Sequence, residues 1–246
     1  MSVPRLRIFA GPNGSGKSTI KDFLPAHLIY IYVNADEIEK EARATGRVDL
    51  APFEVHTDQT TFQTFFSNHG LVLNAGLEEQ TERFVIEGQF LTLDGVAVNS
   101  YHASVIADFI RHELIARKAS LTFETVMSSR DKVKFIQKAR ENGYRTYLYF
   151  IATDDPAINI NRVANRVIDG GHGVPEDKIV ERYWRTLALL PEAIQSSNRA
   201  YLFDNSGDRA ILEVEITDSE EAEFKSDSLH GWCVTALEAL ASLPAR

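Results

Sequence analysis

Eight consecutive residues, Gly11-Pro12-Asn13-Gly14-Ser15-Gly16-Lys17-Ser18, have the types and spacing to hold a phosphate. They satisfy G-x-x-x-x-G-K-[ST]: glycines let the backbone turn its N–H groups inward around an anion, the lysine reaches the terminal phosphates, and the hydroxyl ligates a divalent cation. On this reading Asn13, Gly14, Ser15, Gly16, Lys17, Ser18 and Thr19 are candidate ATP-binding residues. Lys17 also acts on the transferring phosphate, and Ser18 is the candidate Mg²⁺ ligand. The alternative is a glycine-rich turn that happens to contain a lysine.

Phosphoryl transfer needs positioning and charge neutralisation more than covalent chemistry, plus a carboxylate to align an acceptor hydroxyl and take its proton late. Asp36, just past the apolar run Leu28 to Val33, is the first candidate for that base. Its spacing to Glu39 also fits a helix N-cap with its capping box, and the two roles can coexist. Glu124, after Leu121 to Phe123, is the second candidate; its alternatives are to bind substrate hydroxyls or to hold Mg²⁺ through water. No apolar strand ends in the Asp-Glu pair with which many ATPases polarise water, which favours transfer to a bound acceptor over hydrolysis. Arg162, Arg166, Arg182 and Arg185 flank Gly170-Gly171-His172-Gly173-Val174-Pro175, a mobile-looking loop. That arrangement suits an arginine-bearing lid closing over phosphate, with a solvated helix face as the alternative. His56, His69, His102 and His112 lack tight metal-ligand spacing and read as surface or core residues.

The elements that must position these groups are legible in part. Leu6 to Ala10 reads as a buried strand into the loop, and Thr19 to Leu24 as a helix that Pro25 ends. Further strands are expected at 28–33, 121–123, 147–152 and 201–203, with an edge strand at 211–216. Helices are expected over 104–118 and 131–141, after Asp155-Pro156, from Glu176, and at the C-terminus around Trp232, Cys233 and Leu237. Phe84-Val85-Ile86 and Phe90 to Leu93 around Gly88 suggest a hairpin, and 218–228 reads as an acidic, solvated linker. The alternation predicts an α/β fold: a three-layer, nucleoside-kinase-like P-loop architecture with a central parallel sheet of about five strands and right-handed crossovers. One domain over 1–217 is expected, with an inserted cap at about 50–105 that must carry its own structure, and 218–246 packed on the same domain.

The chain has 246 residues, enough for one large α/β domain with insertions. A formal net charge of −9 makes a nucleic-acid or anionic-membrane partner an unfavourable expectation, and no apolar run approaches membrane-spanning length. The single Cys233 forms no intramolecular disulfide and reads as a core thiol; with no room for a signal peptide before the loop, the expectation is a cytoplasmic protein.

The chain resembles the zeta-toxin-like P-loop kinases, and more closely the small bacterial proteins labelled predicted ABC-type ATPases. The resembling parts are AGPNGSGKST (10–19), VNADEI (33–38), FETVMSS (123–129), GYRTYLYF (143–150), RVANRVIDGGHGVPEDKIVERYWR (162–185) and FDNS (203–206). The resemblance implies that Asp36 is the catalytic base, that Glu124 and Thr125 face the acceptor, that Arg166 and Arg182 contact ATP phosphates, and that Arg162 lies near the nucleotide. It further implies ATP and Mg²⁺ as cofactors, a small-molecule acceptor such as UDP-N-acetylglucosamine, and an antitoxin protein as a candidate partner. The chain departs from the toxins at Glu124-Thr125-Val126, where they carry Glu-Gly-Thr and then Arg, so the acceptor does not carry over.

An ATP-gated binding or regulatory module is the competing reading. An ABC-type ATPase is disfavoured because no LSGGQ-like signature is present.

Overall fold

The structure, a computed structural model, describes residues 3–168 and 173–244. In chain order it runs β1 (Arg5–Ala10), α1 (Lys17–Asp22), β2 (Ile31–Val33), α2 (Ala35–Thr45), β3 (Arg47–Asp49), α3 (Gln59–Ser67), α4 (Gly70–Ala75), β4 (Phe84–Glu87), β5 (Phe90–Leu93) and α5 (Ser100–Ala116). There follow β6 (Leu121–Thr125), α6 (Arg130–Glu141), β7 (Arg145–Ala152), α7 (Pro156–Ile168), α8 (Glu176–Gln195), β8 (Arg199–Asp204), β9 (Ile211–Thr217), β10 (Glu221–Phe224) and α9 (Gly231–Ala241). These form two compact units, 1–29 with 122–246, and 30–121. The second takes in β2 and α2 besides the expected insertion at 50–105.

In the first unit the strand order is β10-β9-β8-β7-β1-β6. β1 pairs parallel with β7, placing Ile8 opposite Leu148, and β7 pairs parallel with β8, placing Tyr149 opposite Tyr201. A parallel strand covered on both faces needs a nearly continuous apolar run, and Leu6, Ile8, Phe9, Leu148, Phe150 and Ile151 are all buried. Phe9, Tyr149 and Tyr201 stack in a row across three strands, with centroids 4.7 and 4.8 Å apart. α9 packs on α8, and its Trp232 ring lies 5.9 Å from that of Phe150.

Two expectations need correction here. The run 211–216 is no edge strand: β9 pairs antiparallel with β8 on one side and β10 on the other. β10 lies inside the stretch read as a solvated linker. Its four residues are all exposed, so they lack the alternating burial that marks a strand in sequence. The acidic residues that suggested solvent decorate the sheet margin, where charge discourages pairing with another chain.

The second unit holds a three-stranded antiparallel sheet in the order β3-β5-β4, so the hairpin read at 84–93 gains a strand. Its core is aromatic: Phe62 meets Phe109 edge-on at 5.0 Å, and Phe66 lies 4.4 Å from Phe84. Two of the histidines here cap helices. His102 completes a capping box with Asn99 at the start of α5, and burial pushes its pKa down. His69 caps α4 through Nδ1, and its Nε2 lies 3.0 Å from Asp108 Oδ2. Asp36 is not the cap of α2: Asn34 is, its Oδ1 accepting from the Asp36 backbone N–H at 2.9 Å. That frees the Asp36 carboxylate from the capping role, at an exposed position in the first turn.

Candidate functional site: a phosphate loop held by two asparagines

The loop between β1 and α1 takes the conformation its glycines permit. Gly14 and Gly16 have φ of 75° and 91°, in the left-handed region. A second constraint is contact. A Cβ at Gly11 would stand 2.0 Å from the Ile151 carbonyl oxygen, one at Gly14 would stand 2.7 Å from that of Asn159, and one at Gly16 would stand 2.3 Å from Asn205 Nδ2. The loop is therefore pressed on its outer side by β7, α7 and the turn after β8.

Those neighbours grip its carbonyls. Asn159 Nδ2 donates to the Asn13 carbonyl at 2.5 Å, and Asn205 Nδ2 donates to the Ser15 carbonyl at 2.8 Å. These bonds take up the Asn13 and Ser15 carbonyls; the Ser15 N–H donates to the Pro12 carbonyl at 3.3 Å, and the other N–H groups of the loop are candidates to face an anion. Each asparagine is itself fixed. The Thr153 hydroxyl donates to Asn159 Oδ1, and the Tyr183 hydroxyl donates to the Thr153 carbonyl at 2.6 Å. Arg162 donates to the carbonyls of Asn205 at 2.7 Å and Gly207 at 3.3 Å. Arg162, expected near nucleotide, thus secures the turn that secures the loop. Sequence reasoning missed Asn159 altogether; an asparagine three residues into a helix that starts at Pro156 carries no motif of its own.

Lys17 Nζ folds back on the loop, donating to the carbonyls of Gly11 and Pro12, both at 2.9 Å. α1 has only six residues, so its macrodipole adds little at this end; the loop amides and Lys17 are the candidate anion-binding groups. Ser18 Oγ donates to Glu124 Oε2 at 3.0 Å. Glu124 is the penultimate residue of β6, the neighbour of β1 in the sheet, so strand order brings together two residues far apart in the chain. Thr125 Oγ1 accepts from the Met127 N–H at 3.0 Å, helping Met127 hold φ of 55° in a tight turn. Thr186 ties the same turn to α8 by donating to the Val126 carbonyl at 2.8 Å. Ser18 and Thr19 are exposed at the start of α1.

The remaining candidates lie elsewhere. Arg166 is exposed near the end of α7 and Arg182 is half-buried on α8. Arg185 pairs with Glu181 at 3.0 Å on the exposed side of α8, an ion pair worth little. Of the glycine-rich loop between the two helices, residues 169–172 lie outside the described residues. Asp36 belongs to the second unit, which has an open cleft of about 340 Å³ lined in part by Tyr32, Asn34, Glu37, Glu41, Asp49 and Phe53.

A cradle shaped by three glycines, a lysine at its mouth and a hydroxyl hydrogen-bonded to a carboxylate fit a nucleoside triphosphate with a divalent cation. With a mostly parallel sheet behind them, they define a P-loop protein of kinase-like architecture. Residues 93–207 match the family model described as Zeta toxin, which shows the resemblance to the zeta-toxin-like kinases. The matched segment takes in Glu124, both asparagines and the arginines, while the phosphate loop lies before it.

Among individual proteins, an uncharacterized protein of Haemophilus influenzae is 31% identical over 72 residues, 29% of this chain and 51% of that protein. The chain thus spans about half the length of this curated relative. The AvrRxo1-ORF1:-ORF2 complex with ATP has a chain matching at 16% identity and a TM-score of 0.52, over 90% of this chain and 60% of that one, a likeness of fold. A chain from the PezAT chromosomal toxin-antitoxin system of Streptococcus pneumoniae matches at 15% identity and a TM-score of 0.45, over 98% of this chain and 79% of that one. No helix among the described residues is long and apolar enough to cross a membrane.

Proposed function

We propose that the protein is an ATP- and Mg²⁺-dependent phosphotransferase that moves the γ-phosphoryl group to a hydroxyl of a small molecule. The observation that carries this reading is the Gly11–Ser18 loop, with its carbonyls pinned by Asn159 and Asn205 and its Ser18 hydroxyl bonded to Glu124. Lys17 would leave the Gly11 and Pro12 carbonyls for the phosphates, and the loop N–H groups would hold them from below. Ser18 would ligate Mg²⁺ with Glu124 behind it; the ion, when bound, neutralises charge on the phosphate oxygens. Arg166 and Arg182 are proposed to contact the transferring phosphate, with Arg162 acting through Asn205. A structure with ATP is known for AvrRxo1-ORF1:-ORF2, whose fold this chain shares, and that supports ATP as the donor.

Asp36 is the proposed base, with its carboxylate exposed and its capping role taken by Asn34. Asn34 and Glu37, on either side of it, line the 340 Å³ cleft, the proposed acceptor pocket. Carboxylates at Glu37, Glu41 and Asp49 suit a hydroxyl-rich acceptor that is neutral or cationic, and they repel the diphosphate of a nucleotide sugar such as UDP-N-acetylglucosamine. An antitoxin-like protein is the proposed partner, on the resemblance to the zeta-toxin-like kinases, and the cytoplasm is the proposed compartment.

Phosphorus NMR of the protein with ATP, Mg²⁺ and a panel of sugars, amino sugars and nucleotide sugars tests the reading. A new phosphomonoester is expected with wild type, absent with Lys17→Ala and with Asp36→Asn, the latter still binding ATP. ADP and free phosphate as the only products would overturn the transferase in favour of an ATP-gated module.

A further inference from the structure

β8, β9 and α9 enclose a cluster that phosphotransfer does not use. Glu213 on β9 and Asp204 at the end of β8 are buried carboxylates, 0% and 2% exposed, and His230 stands between them. His230 Nδ1 is 2.6 Å from Glu213 Oε1, its backbone N–H donates to the same oxygen at 3.1 Å, and its Nε2 is 3.5 Å from Asp204 Oδ1. Trp232 Nε1 donates to Asp204 Oδ2 at 2.9 Å. Asp204 in turn accepts from the Ser206 N–H at 2.8 Å and the Ser206 hydroxyl at 2.9 Å. Between Asp204 and Ser206 stands Asn205, whose amide pins the Ser15 carbonyl of the phosphate loop.

We propose that His230 is a proton-operated positioning residue for the phosphate loop. Charged, it lies between Glu213 and Asp204 and keeps the 204–206 turn in the conformation from which Asn205 holds the loop. Uncharged, it leaves two buried carboxylates without their cation, the turn loosens, and affinity for ATP falls. The inference rests on the reading of the Gly11–Ser18 loop as an ATP site.

The charged groups facing the imidazole are Glu213 from β9, Asp204 from β8 and Asp154 from the β7–α7 connection. The hydrogen bond to Glu213 raises the His230 pKa most, burial opposes it, and Asp204, Glu213 and Asp154 add attraction. Burial and then the Glu213 carboxylate push the Cys233 thiol up, so it stays neutral and takes no part. Because the His230 pKa is raised, its contribution is complete below the ordinary value of 6.5 and is lost as pH rises through the higher folded value.

Linkage makes the effect reciprocal: if protonation favours ATP binding, ATP must raise the pKa of His230. In wild type, the indole N–H resonance of Trp232, identified by comparison with Trp232→Phe, is followed across pH with and without ATP. An upward shift of its midpoint with ATP is expected. In parallel, the wild-type Kd for ATP should weaken about threefold or more across that midpoint, and His230→Gln should remove this step while leaving the titration of ATP itself. A midpoint that ATP does not move, or identical profiles for wild type and His230→Gln, would overturn the proposal and leave the cluster a structural one. Absence of ATP binding at every pH would instead overturn the reading of the loop, and this inference with it.

Discussion

Ser18 Oγ donates to Glu124 Oε2 across 3.0 Å, closing a contact between residues 106 apart in the chain. The sequence left Glu124 between substrate and metal; a bond to the hydroxyl proposed to ligate the cation favours the metal side. Glu124→Gln keeps the size and one acceptor oxygen but removes the charge. The expected result is a kcat lowered about 100-fold or more, as when one preorganised electrostatic partner is lost. ATP affinity in EDTA should not change. Calorimetric titration with and without Mg²⁺ separates the two, and an equal loss of affinity in both would put Glu124 on the nucleotide instead.

Asn205→Ala removes the donor that holds the Ser15 carbonyl and opens the space that Gly16 was needed to leave. A polar group left unpaired at a packed site costs about 1–3 kcal/mol, so the thermal midpoint should fall. If the loop also relaxes, ATP affinity falls about tenfold for each 1.4 kcal/mol of lost preorganisation. Asn159→Ala should act in the same direction through Asn13. Unfolding scans with and without ATP measure both effects; a stability loss with unchanged ATP affinity would show that the clamps serve only the fold.

How much of this was legible follows from what each element exposes. The phosphate loop was readable because its glycines, lysine and serine are contiguous and each is required by local geometry. Glu124 was readable as a strand-end carboxylate, but its role depends on β6 lying beside β1, which strand order decides and sequence does not. Asn159 was not readable: it is fully buried within a helix whose sequence, PAININRVANRVI, signals only amphipathicity. β10 was missed because all its residues face solvent and the acidic composition mimicked a linker. The second unit was the hardest to read, because its aromatic core joins helices and hairpin strands spread over 62–109 with no single period linking them.

Gly16→Ala places a methyl group 2.3 Å from Asn205 Nδ2, on a backbone with φ of 91°. The substitution meets two penalties, left-handed strain of about 1–2 kcal/mol and displacement of the asparagine. Loss of ATP binding is expected even where the protein folds. Pairing it with Asn205→Ala removes the clash but not the strain, so the double variant should be more stable than the two single effects sum to. Additive destabilisation would mean that the amide and the glycine do not communicate.

Tyr183 offers a test of the support beneath Asn159. It is 1% exposed, and its hydroxyl donates to the Thr153 carbonyl at 2.6 Å. Burial, followed by the charges of Asp154, Asp155 and Asp204, raises its pKa from 10.0 to about 12. The fold therefore favours the neutral phenol. Its contribution is complete below the unfolded value of 10.0 and is lost as pH rises through about 12. Tyr183→Phe should be less stable at pH 8 by about 0.5–1.5 kcal/mol, the worth of one hydrogen bond. Between pH 10 and 12 wild type should lose stability more steeply than Tyr183→Phe, which cannot ionise, so the two curves converge. Burial also raises Tyr149 and Tyr201, but both are present in each protein and cancel in the difference. Denaturant unfolding at a series of pH values gives the comparison directly, and parallel curves would show that ionisation of Tyr183 is not coupled to the fold.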